Sequence, residues 1–214
     1  MYIMVSSFCQ MACAHCLFSC SPKRGQHMAM DTFRQTVEAA RKYDAMVMLG
    51  GGEPTLHPEF DAMLGLAVVV TGHPVMVITN GTCPEPLWNK MLDARIHGIL
   101  DIGVSNDLWH DASLRKPWVD RDAEKLGLWW GDPASGHRAL WKRGRAKRNW
   151  SKLMRDCEMR GIKVTVEDGC GSLRVTPDGR VWPDVPGVRR STGTVDNEKA
   201  IMDSYDTIRK WEER

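Results

Sequence analysis

Short apolar runs alternate along this chain with segments whose apolar residues recur every three or four positions. Four of the runs have the length and composition of buried strands: 2–5, 45–49, 74–78 and 99–104. The segments between them follow the periodicity of helices, as in 31–43, where Phe33, Val37 and Ala40 share one face. Repeated strand–helix units require a parallel sheet with right-handed crossovers. We therefore predict an α/β fold, a partial (β/α)6 barrel of the TIM type.

The pattern weakens after residue 110. The stretch 107–126 is polar and irregular, and we expect it to leave the side of the barrel open. Later segments suit strands near 126–130, 139–141 and 162–166, a hairpin at 170–183 and a terminal helix at 197–214. We expect two regions, a barrel over residues 1–166 and a C-terminal extension of hairpin and helix over residues 167–214.

Composition limits the classes of protein that fit. A chain of 214 residues with 43% hydrophobic content can bury a sizeable core. The formal charge is only +2, from 29 basic and 27 acidic residues, so overall charge indicates no particular partner. No apolar run approaches the roughly 18 residues that span a membrane, and the first residues lack a signal-peptide pattern. Seven unevenly clustered cysteines do not fit a disulfide framework, so we expect a cytoplasmic protein without a membrane partner.

Three of the cysteines lie close together, directly after the first apolar run. Cys9, Cys13 and Cys16 are spaced C-x3-C-x2-C, on the loop that should follow the first strand. Three thiolates can hold three corners of an iron–sulfur cubane, which leaves one iron open to a ligand from outside the protein. The alternative is a structural zinc site completed by His15 or Cys20, although zinc ribbons normally carry two separated C-x2-C pairs.

This motif resembles that of the radical S-adenosylmethionine (SAM) enzymes, and with the motifs below the resemblance covers about residues 1–110. It implies a [4Fe–4S] cluster on the three cysteines, with SAM bound at the open iron. It also implies a one-electron reductant of the flavodoxin or ferredoxin type, and reductive cleavage of SAM to a 5′-deoxyadenosyl radical that abstracts hydrogen from a substrate. The usually aromatic position before the last cysteine is His15. The other cysteines are expected not to bind the cluster: Cys20, Cys83, Cys157 and Cys170.

A glycine-rich motif follows the second predicted strand, where β/α barrels carry ligand-binding loops. Gly51-Gly52-Glu53-Pro54 matches the second signature of the radical SAM family. The resemblance implies that the backbone at Gly51 and Gly52 and the side chain of Glu53 orient the amino group of SAM. The alternative, an ordinary turn between strand and helix, would need one glycine rather than three in succession.

Two further strand ends carry polar motifs. Thr79-Asn80, followed by glycine, matches a family pattern near the SAM ribose and the cluster, although alone it is only a turn signal. Ser105 and Asp107 belong to a sequence that resembles the family's fourth-strand motif S-x-D-x-x-H, which ends here at His110. The resemblance implies contacts with the carboxylate or ribose of SAM. A lone histidine such as His110 is more often a surface residue than a functional one.

A strongly basic segment follows, with no acidic side chain over residues 133–155. Within it, Gly144-Arg145-Ala146 resembles a late-barrel element of several radical SAM enzymes, which implies that Arg145 lies near the SAM carboxylate. Basic residues interleaved with tryptophans could also hold a nucleic acid through phosphate contacts and base stacking. The alternative is the solvated face of a helix over 146–160, whose opposite side carries an apolar stripe.

The hairpin at 170–183 resembles the SPASM or twitch extension of some family members, which holds an auxiliary cluster. Trp182-Pro183 stands where that pattern has its second cysteine, and Cys170 alone cannot hold a second cluster. Two classes of function stay open, a radical SAM enzyme and a non-catalytic metal-binding module that binds nucleic acid. The Gly-Gly-Glu-Pro motif favours the enzyme. We expect a substrate group borne on a polymer, a peptide or a modified nucleobase, with a free metabolite or nucleotide as the alternative, and we assign no catalytic residue.

Overall fold

The computed structural model describes residues 1–130, 137–167, 172–185, 188 and 190–213. Ten strands and seven α-helices lie within these residues. In chain order they are β1 (Tyr2–Ser6), α1 (Met30–Lys42), β2 (Met48–Gly51), α2 (Phe60–Thr71), β3 (Val75–Thr79), α3 (Glu85–Ile96), β4 (Leu100–Ser105), α4 (Pro117–Leu126), β5 (Trp129–Trp130), β6 (His137–Trp141), α5 (Gly144–Arg148), α6 (Trp150–Met159), β7 (Lys163–Glu167), β8 (Ser172–Val175), β9 (Arg180–Asp184), β10 (Gly193–Thr194) and α7 (Glu198–Glu212). Short 3-10 helices lie at Pro54–Leu56 and Ala112–Leu114.

The main sheet of the described chain has eight strands, in the order β10-β9-β8-β1-β2-β3-β4-β5. From β1 to β5 every neighbouring pair is parallel, and β6 pairs with β7 in a second parallel sheet. β8 pairs in parallel with β1, whereas β9 and β10 continue antiparallel. The main sheet therefore does not close on itself, and the predicted α/β partial barrel is confirmed.

Side chains of the strands alternate between two faces. On the outer face, Ile3 and Val5 of β1 join a core that α1 completes with Phe33 and Val37, all of them fully buried. On the inner face, Tyr2 and Met4 belong to a second cluster that includes the cysteines of the following loop. Because the two faces of β1 serve different purposes, the same short strand anchors both the helix layer and the loop that carries the cysteines.

The expectation that 107–126 is irregular is wrong for residues 117–126, whereas the expected open barrel agrees with a main sheet that does not close. Residues 117–126 form α4, which starts with Pro117 in its first turn and ends at Gly127 in the left-handed conformation, with φ +64°. Val119 and Ala123, four positions apart, are fully buried in the main core. These two are the only buried residues of α4, so the charged residues around them hide the helical pattern. The helix therefore packs against the main core.

The C-terminal hairpin joins the sheet rather than standing away from it. Arg174 of β8 lies opposite Tyr2 of β1, and α7 packs against all three C-terminal strands. The predicted hairpin and terminal helix are present, while Cys170 lies outside the described residues. The division into regions 1–166 and 167–214 stays a prediction. Among the helices that the structure describes, none combines the length and hydropathy that crossing a bilayer requires.

Candidate active site

The three cysteines lie on a loop, residues 7–20, that leaves the carboxyl end of β1. We refer to it as the cysteine loop. Cys9 is buried and Cys13 and Cys16 are half-buried, and all three pack into one cluster with Met4 and Met11. The backbone N–H of Cys16 donates to the carbonyl of Cys13 at 3.2 Å, which turns the loop back on itself. The spacing read from the sequence therefore places three thiols on one compact loop.

Two glycines let the next strand approach the cysteine loop at backbone contact distance. The N–H of Gly52 donates to the carbonyl of Ser6 at 2.7 Å, and the N–H of Glu53 donates to that of Phe8 at 2.8 Å. A Cβ on Gly52 would lie 2.1 Å from the Phe8 oxygen, and one on Gly51, which has φ +136°, would lie 2.1 Å from the Ser6 oxygen. No side chain fits at either position. The double glycine thus fixes the cysteine loop against β2.

Glu53 is fully buried and its carboxylate is held by the chain itself. Oε1 accepts from Thr55 Oγ1 at 2.7 Å and from Thr79 Oγ1 at 2.8 Å, while Oε2 accepts from the N–H of Asn80 at 2.7 Å. Burial raises the pKa of Glu53, and hydrogen bonds from Thr55, Asn80 and Thr79 act in the opposite direction. In this structure Glu53 joins the ends of β2 and β3. Its predicted contact with the SAM amino group stays a prediction.

Asn80 connects the third strand to the first cysteine. Its Nδ2 donates to Cys9 Sγ at 3.4 Å, and its Oδ1 accepts from the N–H of Thr82 at 3.1 Å and from Thr82 Oγ1 at 2.7 Å. The side chain is buried and its amide orientation follows from these partners. The sequence predicted Thr79 and Asn80 near a cluster, and the structure brings Asn80 into contact with Cys9, a predicted ligand.

Cys20, predicted not to be a ligand, contacts Cys16, which is predicted to be one. Its N–H lies 3.3 Å from Cys16 Sγ, and its thiol also hydrogen-bonds to Cys16. This thiol hydrogen bond lowers the pKa of Cys16, with burial opposing it and Arg145 assisting, and it raises the pKa of Cys20. Burial raises the pKa of Cys9 to about 11 and that of Cys13 to about 12. Cys16 is therefore the thiol of the three that most readily becomes a thiolate.

Arg145 donates hydrogen bonds to the backbone of the cysteine loop. Its guanidinium donates to the carbonyls of Cys13 at 2.7 Å, Ser19 at 3.2 Å and Cys20 at 2.6 Å, and its N–H donates to that of Cys16 at 2.9 Å. The structure thus places Arg145 at the cysteines, as the motif suggested, but on loop carbonyls. The predicted contact with the SAM carboxylate stays a prediction.

Gly144 and Asn149, on either side of Arg145 in the sequence, also contact the cysteine loop. A Cβ on Gly144, which has φ +52°, would lie 2.1 Å from the carbonyl oxygen of Leu17, so only glycine fits. Asn149 Nδ2 donates to the carbonyl of Ala14 at 3.0 Å. The sequence indicated Gly144-Arg145, but nothing in it indicated Asn149.

His15 and the loop after β4 meet at Asp107. Oδ2 of Asp107 lies 3.1 Å from His15 Nε2 and 2.9 Å from His110 Nδ1, and its Oδ1 accepts from the N–H groups of Trp109 and His110. Burial alone would raise the pKa of Asp107, but the contacts with His110 and His15 hold it far below its usual range. Ser105, half-buried, ends β4 two positions earlier. Asp107 thus ties the cysteine loop to the end of β4.

The C-terminal hairpin touches the same loop from the other side. The guanidinium of Arg174 lies 5.1 Å from the ring centre of Phe18 and 5.6 Å from that of Trp182, and Phe18 stacks on Tyr2 at 5.9 Å. Phe18 belongs to the cysteine loop, so β8 and β9 help to hold it. The sequence does not indicate this stack, because Arg174 and Phe18 are separated by more than 150 positions.

The donor set fits an iron–sulfur cluster better than zinc. Three thiols share one loop, and the two residues proposed to complete a zinc site are otherwise engaged, His15 with Asp107 and Cys20 with Cys16. Among the residues that the structure describes, a set of three potential metal donors within 4.8 Å of one another is formed by His15, Asp107 and His110. The contacts of Asp107 with the two histidines already explain why these three residues lie together. Cys83 and Cys157 are buried, and neither belongs to the hydrophobic cluster of the cysteine loop.

Comparisons with known proteins agree with this donor set. A family model described as the Radical SAM superfamily matches residues 3–117. An S-adenosylmethionine-dependent nucleotide dehydratase from a Thermoplasmatales archaeon (strain ISO4-H5) is 33% identical over 101 residues, 46% of this chain and 34% of that protein. A GTP 3′,8-cyclase from Chlorobaculum tepidum is 31% identical over 108 residues, 50% of this chain and 31% of that protein. The chain therefore spans about a third of the length of the curated relatives it matches.

Solved structures show the same fold at low identity. BtrN in complex with AdoMet and 2-DOIA has a TM-score of 0.59 at 16% identity, covering 99% of this chain and 84% of that chain. SuiB of Streptococcus suis bound to S-adenosylmethionine has a TM-score of 0.55 at 11% identity, covering 97% and 67%. A structure of SuiB bound to precursor peptide SuiA has a TM-score of 0.56 at 10% identity, covering 97% and 66%.

Proposed function

This chain belongs to the radical SAM superfamily, and we propose that it is an enzyme that binds a [4Fe–4S] cluster through Cys9, Cys13 and Cys16 and cleaves SAM reductively. When bound, the cluster and SAM supply a 5′-deoxyadenosyl radical, which abstracts hydrogen from a substrate. One observation carries the proposal. Asn80 bonds to Cys9, 71 positions away, and to Glu53, so three separate motifs form one connected site.

The residues around the cysteine loop have distinct parts in this proposal. Gly51 and Gly52 hold the loop against β2, and their backbone, with Glu53, is proposed to orient the SAM amino group. Thr79, Ser105 and Asp107 stand at the ends of the next two strands, where the SAM ribose and carboxylate are proposed to lie.

Arg145 is proposed to act on the cysteine loop. Its three carbonyl contacts hold the loop in shape, and its charge favours thiolates over thiols. A half-buried positive charge near the loop would also attract the SAM carboxylate. The non-catalytic zinc module has no comparable use for this arrangement, and a cytoplasmic location, where thiols stay reduced, is retained as part of the proposal.

For the substrate we infer a nucleotide. The expectation of a polymer-borne group rested on an open flank over 107–126, on the C-terminal hairpin and on the basic segment, and α4 occupies residues 117–126 of that flank. Two curated relatives are named for a nucleotide and for GTP, at 33% and 31% identity. Both support the free nucleotide that the sequence left as an alternative.

A peptide-borne group is the second candidate, and one observation favours it. In the hairpin β8–β9, the guanidinium of Arg174 lies over the ring of Phe18 of the cysteine loop and over that of Trp182, which keeps the extension close to the site. Among the structural neighbours, SuiB has been described with a precursor peptide.

The experiment is anaerobic reconstitution with iron and sulfide, followed by SAM and dithionite. We expect release of 5′-deoxyadenosine, and none from Cys13→Ala. Nucleoside triphosphates and peptides are then added separately, each in deuterated form, because direct hydrogen abstraction carries deuterium into 5′-deoxyadenosine. Transfer from a nucleotide supports the first candidate and transfer from a peptide the second. If the reconstituted protein releases no 5′-deoxyadenosine, the proposed enzymatic activity is contradicted.

A further inference from the structure

Two segments of the chain that meet at the cysteine loop carry basic side chains without any acidic one. Residues 1–30 and 133–155 together carry ten lysines and arginines and no acidic side chain, so the remainder of the chain carries a net charge of −8. The overall charge of +2 conceals this separation. A charge asymmetry of this size creates a local positive potential, which attracts acidic partners.

Contacts between the two segments place their charges on one side of the site. Arg148 Nη2 lies 3.3 Å from Ser19 Oγ, and Arg145 holds the carbonyls of Ser19 and Cys20. Lys23 follows Cys20 by three residues, so its Cα lies within about 11 Å of that of Cys20. The helix α5 and the loop after Cys20 are therefore neighbours on the surface.

Not every charge in these segments is available to a partner. Arg145 is engaged by the cysteine loop, and Arg143 pairs with the buried Asp184. Other side chains are exposed, and within the described part of the chain no carboxylate lies within 4 Å of them. These define the basic surface: Lys23, Arg24, Lys147, Arg148 and Lys152.

A cleft brings this surface to the first cysteine. It is open to solvent, has a volume of about 340 Å³, and is lined by Phe8, Cys9, Gln10, Pro22, His27 and Leu56. Leu56 is 37% exposed, and Pro22 directly precedes Lys23. The cleft has an apolar interior with positive charge beside it, which is the usual composition of a protein interface. A partner seated there would lie next to Cys9.

We propose that the basic surface and this cleft are the docking site of an acidic one-electron carrier protein. This inference rests on the proposed function, since only a bound cluster needs the electron. The carrier loses one electron and the cluster gains it, with no bond formed or broken and no proton moved. Docking beside Cys9 gives a short path, and opposite charges speed the encounter.

A nucleic acid is the competing occupant, and the structure favours it less. Base stacking needs exposed aromatic rings. Trp150, the tryptophan of α6, is half-buried, and the ammonium of Lys142 lies over its ring at 5.3 Å. The exposed charges themselves would attract phosphates as well as carboxylates, so the experiment includes both partners.

The test compares two double variants with the same change in charge. Lys23→Glu/Lys147→Glu alters one residue from each segment of the basic surface. Lys125→Glu/Lys210→Glu alters exposed lysines of α4 and α7, neither of which has a carboxylate within 4 Å in the described chain. A recombinant bacterial flavodoxin of net negative charge is titrated into each reconstituted protein, and binding is followed by its flavin fluorescence.

We expect the surface variant to bind flavodoxin about tenfold more weakly at low ionic strength and the control less than twofold. The difference should shrink in high salt, because exposed charges are screened. Dithionite-driven release of 5′-deoxyadenosine should be unchanged in both variants. Equal loss in both variants, or none in either, overturns the docking site.

A single-stranded oligonucleotide is tested in parallel. The docking site is overturned if the surface variant loses affinity for the oligonucleotide and keeps its affinity for flavodoxin. Failure of the wild-type protein to release 5′-deoxyadenosine with dithionite would contradict the proposed function instead. The binding measurement does not depend on that activity, so the two failures are distinguishable.

Discussion

The side-chain amide of Asn80 donates to Cys9 Sγ at 3.4 Å, so the end of β3 contacts a proposed cluster ligand directly. Hydrogen bonds to cysteine ligands stabilise negative charge and raise the reduction potential of an iron–sulfur cluster. Asn80→Asp keeps the acceptor that Thr82 uses but loses the donor and adds a negative charge. We expect a potential more negative by on the order of 50 mV, from one hydrogen bond of about 1 kcal/mol. Redox titration by electron paramagnetic resonance measures it, with Asn106→Asp, outside this contact, as the control. An unchanged potential would contradict the role of Asn80.

Alanine substitutions of the cysteines should separate ligands from neighbours. We expect Cys9→Ala, Cys13→Ala and Cys16→Ala to lose the cluster, because each removes one of only three proposed ligands. Cys83→Ala, Cys157→Ala and Cys170→Ala should keep it. Cys20→Ala should also keep the iron but lose the hydrogen bond to Cys16. Iron and sulfide content after anaerobic reconstitution decides. If Cys13→Ala keeps the iron and Cys20→Ala loses it, Cys20 rather than Cys13 is a ligand of the cluster.

Gly52→Ala should prevent the cysteine loop from docking. The added Cβ would lie 2.1 Å from the Phe8 carbonyl oxygen, a contact that only a backbone shift relieves. We expect loss of iron binding and a fall in stability of roughly 1–3 kcal/mol. Gly65→Ala is the matched control, since a Cβ there meets nothing within 4 Å and alanine suits a helix better than glycine by about 1 kcal/mol. If both variants bind iron equally, the close approach is not required.

Arg145→Lys should weaken the cysteine loop although it preserves charge. A single ammonium cannot reproduce a guanidinium that reaches the carbonyls of Cys13, Ser19 and Cys20. We expect a loss of roughly 2–4 kcal/mol in stability and faster release of iron to a chelator. Lys147→Ala, two positions away and exposed, should release iron at the wild-type rate. Equal rates of iron release in wild type and Arg145→Lys would contradict the role of Arg145 in holding the cysteine loop.

Asp107→Asn should reveal a pH-dependent contribution to stability. The folded-state pKa of Asp107 lies below its unfolded value of about 4, so its stabilisation is full above that pH and is lost as the pH falls further. We expect the variant to be less stable by roughly 1–3 kcal/mol at pH 7, with the difference shrinking below about pH 4. Urea unfolding across this range measures it. A difference independent of pH would show that the charge of Asp107 is not the cause.

Local motifs were predictable from the sequence, and long-range contacts were not. The cysteine spacing and the double glycine are short patterns whose geometry follows from neighbouring residues, and the alternation of strands and helices fixed the sheet order from β1 to β4. Arg145 and the Cys13 carbonyl that it contacts are 132 positions apart in the sequence, and Arg174 and Phe18 are further apart still. No local pattern therefore indicates which residues these two arginines contact. The helix α4 was missed because only Val119 and Ala123 mark its buried face. Its Pro117 and Gly127 were the signals available.

The parallel pairing of Tyr2 with Arg174 also sets an order of events during synthesis. One edge of β1 has no partner until about 170 further residues have been made, which takes roughly 10 to 30 s at ribosomal rates. α5, which holds the cysteine loop, emerges only shortly before β8. A nascent chain therefore exposes three thiols and an unpaired strand until β8 has been made. Iron delivered in that interval would meet an unformed site, so cluster insertion should follow the synthesis of β8.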